Sequence, residues 1–146
     1  MTNIIKEISK KVYEFTSLIT CPKLQISEPY YIYKEYREGY NEMKKWPNSD
    51  SPGVYIFLAG DKILYIGMSI GYMGNRIWSH IGRLGKKSKS EDEYPNAEEW
   101  IKGNKTEICF VTVAFPIDKF WLVPALESFL IDKFKGHPTL INRVGR

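Results

Sequence analysis

The sequence predicts an α+β fold: a small antiparallel sheet of about three strands flanked by helices, with two further helices ahead of it. Three observations carry this. Residues 54–59 and 62–66 are apolar and strand-like around Gly60-Asp61, a hairpin turn signal. Residues 106–115 are rich in β-branched and aromatic side chains and are followed by a helical pattern over 121–134. Ahead of these, two stretches place apolar residues at helical rather than strand spacing.

Taken in order, residues 3–19 form an amphipathic helix with Ile4, Ile5, Ile8, Val12 and Phe15 on one face. Cys21-Pro22 ends it, because the residue before proline is pushed out of the helical region. A second helix is predicted from about residue 29 to 45, with Ser27 as its candidate cap and Tyr33, Tyr36, Tyr40 and Met43 at helical spacing. The polar run 47–52 is a loop. The hairpin follows, then a helix over 75–84, a polar loop around 91–96, and the strand 106–115. Pro124 suits the first turn of the last helix, and Gly136-His137-Pro138 stops it. Residues 139–146 are a short strand or an irregular segment. The division expected is an N-terminal helical extension, 1–51, on a domain spanning 52–146, the whole forming one compact unit.

The bulk properties exclude several classes. The 146 residues suit a single core. No apolar run approaches the roughly 18 residues of a membrane span, and the N-terminus lacks the uninterrupted apolar core of a secretory signal. The two cysteines, Cys21 and Cys109, give neither a disulfide framework nor zinc spacing. A reducing, cytoplasmic setting is expected. The net charge of +4 is unevenly spread. Residues 62–90 contain no Asp or Glu but carry Lys62, Arg76, Arg83, Lys86, Lys87 and Lys89. Such a stretch suggests a polyanion partner, usually nucleic acid, although a solvated lysine loop gives the same pattern.

Two places hold candidate chemistry. Arg76, His80 and Arg83 share one stripe of the 75–84 helix, with Ile77, Ile81 and Leu84 on the other side. Glu127 is the only charged residue in the eleven from Trp121 to Ile131. A carboxylate so placed binds a metal or a partner, benefits from the nearby helix start, or simply faces water.

Gly53-Val54-Tyr55 and Tyr65-Ile66-Gly67, separated by nine residues, resemble the paired signature of the GIY-YIG nucleases. Arg76 followed one turn later by His80, then Glu127, then Asn142 in LINRVGR, match that family's order over roughly residues 52–145. One departure is Met68, where many members carry lysine. The resemblance implies a metal-dependent endonuclease that hydrolyses DNA phosphodiester bonds. It implies Tyr55, Tyr65, Arg76, His80, Glu127 and Asn142 as catalytic residues, with Glu127 holding Mg²⁺ or Mn²⁺ and Arg76 clamping phosphate. Tyrosine or His80 would take a proton from water, and Asn142 would hold the site by hydrogen bonds. Arg83, Lys86, Lys87 and Lys89 would contact the nucleic acid, expected to be double-stranded DNA. Cutting both strands calls for a homodimer, since one site cuts one strand. Two alternatives stand beside this: an inactive nucleic-acid-binding module of the same fold, and a scaffold using the tyrosine-rich second helix.

Two physical difficulties follow. A phenol titrates near pH 10, so a phenolate at pH 7 costs about 4 kcal/mol unless cations offset it. The hairpin also has a parity problem. A regular two-residue turn opposes Ile56 with Tyr65 and leaves Tyr55 on the other face. Convergence of the two tyrosines therefore requires a three-residue loop or a β-bulge.

Overall fold

The computed structural model describes residues 2–19, 23–32, 46–81, 98–104 and 107–142. Helix α1 runs Asn3–Leu18, capped by the Thr2 side chain, which accepts a hydrogen bond from the Ile5 amide. It buries Ile4, Ile5, Ile8, Val12 and Phe15, the face its periodicity indicates.

Among the described residues the sheet has four strands, all pairs antiparallel, in the order β1-β4-β2-β3: β1 is Tyr30–Tyr31, β2 Gly53–Ala59, β3 Lys62–Ser69 and β4 Ile108–Ala114. The fourth strand corrects the expectation of a helix beginning near residue 29. Tyr30 pairs with Phe110 and Tyr31 with Cys109. Ser27 is not a helix cap here. Its amide donates to the Thr112 carbonyl at 2.8 Å, and its Oγ accepts from the Thr112 amide at 2.9 Å. The outer edge of β4 presents backbone groups that need partners, and residues 26–31 supply them. The rest of the predicted second helix, residues 33–45, lies outside the described residues.

All seven residues of β2 are buried, so both faces of the sheet are covered. On one face Val54, Ile56 and Leu58 join Val111 and Val113 under α1 and the C-terminal helix α4, Val123–Phe134. On the other, Tyr55, Phe57 and Ala59 join Phe110, Trp46 and the apolar side of α2, Met73–Ile81. A single helical turn, α3 at Glu99–Lys102, adds Ile101 to that second core. The break into α4 is a 3₁₀ stretch, Ile117–Leu122, with Pro124 in the first turn of the helix proper. Helix α1 packs on α4, where Phe15 and Phe129 lie 5.5 Å apart.

The hairpin joins a two-residue turn to a bulge. Ala59 opposes Lys62 across Gly60-Asp61, with Gly60 at φ 60°, a value suited to glycine. Leu58 opposes Ile63, yet Phe57 opposes Tyr65, so Leu64 is the extra residue. Leu64 and Tyr65 consequently both serve the second face, while Ile63 and Ile66 serve the first. The chain after α4 then runs along the free edge of β3. Ile141 donates to the Leu64 carbonyl at 2.8 Å, and Thr139 Oγ1 to the Ile63 carbonyl at 2.9 Å. No helix among the described residues is long and apolar enough to cross a membrane.

Candidate active site

The second face of the sheet gathers four of the six residues implied by the resemblance. Tyr55 opposes Gly67 across the strands, and its ring lies directly over that glycine: a Cβ there would sit 2.4 Å from the tyrosine ring. Gly53 is constrained too, since a Cβ would meet the Val113 carbonyl oxygen at 2.1 Å. Each glycine of the two tripeptides therefore admits a neighbour that any side chain would expel.

The bulge brings Tyr65 beside Tyr55, their rings stacked at 6.5 Å and 17°. His80, on the inner side of α2, lies 4.7 Å from the Tyr65 ring, and its Nε2 is 3.0 Å from the Tyr55 hydroxyl. Arg76, one turn earlier and exposed, is near enough for its charge to act on the same hydroxyl. Glu127 projects from α4, half-buried, and its charge reaches Tyr55.

Tyr55 is wholly buried. Burial is the main force raising its pKa above the ordinary phenol value. The neighbouring Tyr65 and the Glu127 charge push the same way, and Arg76 opposes them. Arg76 thus favours the phenolate, as its charge requires, but desolvation outweighs it. At neutral pH Tyr55 is a neutral hydroxyl.

Asn142 is not among the clustered side chains. Its Oδ1 accepts from the Ile66 amide at 3.1 Å, and its Nδ2 donates to the Ile66 carbonyl. It clamps the backbone between Tyr65 and Gly67. Arg83, Lys86, Lys87 and Lys89 lie outside the described residues.

Sequence reasoning missed Glu98. Its Oε1 lies 2.6 Å from His80 Nδ1, and its amide donates to the His80 carbonyl at 3.1 Å. Trp100 donates its indole N–H to Glu98 Oε2 and stacks on Tyr65 at 5.6 Å and 9°. Nothing in the acidic run around residues 91–99 singles out Glu98, eighteen residues from its partner.

Among the described residues, no three His, Cys, Asp or Glu side chains gather into a cage for a metal. The resemblance implies a single carboxylate, Glu127, as the metal's protein ligand. That suits Mg²⁺, which keeps most of its waters and takes one or two carboxylates. It does not suit a metal held wholly by protein.

Compared with protein-family models, with curated proteins and with solved structures, the chain matches none. The likeness to GIY-YIG nucleases therefore rests on the residues themselves.

Proposed function

We propose that the chain is a metal-dependent endonuclease that hydrolyses DNA phosphodiester bonds by a GIY-YIG-type mechanism. The observation that carries this reading is the convergence of Tyr55 and Tyr65 from opposite strands onto one face, beside His80 and Arg76. A buried phenol needs a hydrogen-bond partner in any role, so it is the second tyrosine on the same face and the exposed arginine one turn before His80 that favour a site over plain core packing.

Arg76 is the phosphate clamp, with a planar guanidinium available from the exposed side of α2. A phosphate held by that guanidinium would sit near the Tyr55 hydroxyl, whose ionised form the Arg76 charge favours. Tyr55 then accepts the proton of the attacking water while passing its own to His80, so no free phenolate has to persist. Glu127 would hold Mg²⁺, which supplies charge neutralisation at the phosphate when bound. Asn142 keeps Tyr65 and Gly67 in register by clamping Ile66. The partner is nucleic acid, and double-strand cleavage would require two copies of the chain.

The deciding experiment incubates the protein with supercoiled DNA, single-stranded DNA and RNA, with Mg²⁺, with Mn²⁺ and with chelator. Nicking of supercoiled DNA that chelator abolishes is the expected result. Salt-sensitive binding with no cleavage in either metal would replace the nuclease by a binding module.

A further inference from the structure

His80 has two ring nitrogens in two different settings. Nε2 faces the Tyr55 hydroxyl at 3.0 Å, and Nδ1 faces Glu98 Oε1 at 2.6 Å. The His80 side chain is only 8% exposed, while Glu98, 41% exposed, reaches it from the solvent side. Glu98 is itself fixed at both ends. Its other oxygen accepts from the Trp100 indole, and its amide is bonded to the His80 carbonyl. An indole N–H only donates, and an ionised carboxylate only accepts.

We infer that Glu98 is a positioning residue that sets the tautomer of His80. The carboxylate can pair with Nδ1 only if that nitrogen carries the proton. The neutral ring then presents its lone pair at Nε2, aimed at the Tyr55 hydroxyl. The direction of the Tyr55–His80 hydrogen bond follows: the phenol donates and the imidazole accepts. In the proposed cleavage step, the water proton goes to Tyr55 Oη as the Tyr55 proton goes to Nε2. The water oxygen bonds to phosphorus, the bond from phosphorus to the leaving sugar oxygen breaks, and that oxygen takes a proton from solvent. The imidazolium, held against Glu98, later returns its proton to solvent. With the other tautomer Nε2 would carry a hydrogen, and the step would have no acceptor.

Trp100 makes the idea sharply testable. In Glu98→Gln the amide has one oxygen and one NH₂ for two neighbours. The indole can only donate, so it claims the oxygen. The NH₂ is left facing His80 Nδ1, which must give up its proton and become the acceptor. The tautomer inverts. Removing the indole donor in Glu98→Gln/Trp100→Phe frees the amide to turn its oxygen back to Nδ1, while the aromatic stack on Tyr65 is kept.

The experiment is ¹⁵N NMR of the histidine rings, in the pH range where His80 carries one ring proton, with His137→Gln used to assign the signals. The expected result is an Nδ1–H ring in the wild type, an Nε2–H ring in Glu98→Gln and a return to Nδ1–H in the double variant. An Nε2–H ring in the wild type overturns the inference, as does a Glu98→Gln ring unchanged in a folded protein. Cleavage of supercoiled DNA by the same proteins should fall roughly a hundredfold in Glu98→Gln at unchanged DNA affinity, and recover in the double variant. This second arm rests on the nuclease reading, whereas the spectra decide the tautomer even if no nucleic acid is cut.

Discussion

At the scale of single residues, the tightest constraint is between Tyr55 and Gly67. The 2.4 Å separation between a hypothetical Cβ and the ring leaves no room for even a methyl group. Gly67→Ala must push the ring away from its stack with Tyr65 and its bond with His80. We predict a loss of about 1–3 kcal/mol in stability by urea denaturation, together with loss of cleavage. The charged residues act differently. Glu127→Ala should abolish metal-dependent cleavage while leaving the fold intact, and wild-type rates in Mg²⁺ would remove Glu127 from the site. Arg76 is exposed and adds little to the core, so Arg76→Ala should keep the melting temperature but cost roughly 3 kcal/mol of transition-state stabilisation, read as kcat/KM.

At the scale of elements, the hairpin and its edge decide whether the site exists. Leu64, inserted between the paired residues Ile63 and Tyr65, changes the parity of β3. That single extra residue lets a tight two-residue turn coexist with tyrosines on one face. The edge so formed is closed by the segment after α4 rather than by another strand. Asn142 satisfies both outward backbone groups of Ile66. Asn142→Ala leaves these groups to compete for water, and should destabilise the chain by about 1–2 kcal/mol. Hydrogen exchange provides the specific check: the Ile66 amide should exchange faster, with the β2–β4 amides nearly unchanged.

At the scale of the whole molecule, two readouts integrate many groups. Burial raises the Tyr55 pKa above the ordinary phenol value and pushes the Cys109 thiol up to about 12. Both groups are neutral in the fold and keep their protons at higher pH than in the unfolded chain. Their contribution is therefore complete below the unfolded values of about 9 to 10, and is lost as pH rises towards the folded ones. Urea midpoints should be flat from pH 7 to 8.5 and fall beyond about pH 9, less steeply in Tyr55→Phe/Cys109→Ala. The second readout is ionic strength. If the acid-free stretch 62–90 contacts a polyanion, Lys86→Ala and Lys89→Ala should each lower the salt slope of DNA binding by about one. Slopes equal to wild type would take those lysines out of the interface.

The sequence by itself determined what local pattern encodes. The α1 face, the hairpin with its turn, the β4 strand and the Pro124 helix start were legible, because periodicity and turn chemistry are short-range properties. It also posed the parity problem of the two tyrosines, which follows from side-chain alternation alone. Only the tertiary structure decided how that problem is solved, since a bulge at Leu64 depends on which residues the partner strand and the two cores accept. Tertiary structure likewise turned residues 30–31 from predicted helix into strand: the free edge of β4 offered backbone partners that no local propensity records. It placed Glu98 on His80 across eighteen residues of sequence, and it sank Tyr55 deeply enough that burial, rather than its cationic neighbour, governs its proton. The physical reason is the same in each case. Spacing along the chain encodes which face a side chain takes, but desolvation and hydrogen-bond pairing depend on what the fold brings against that face.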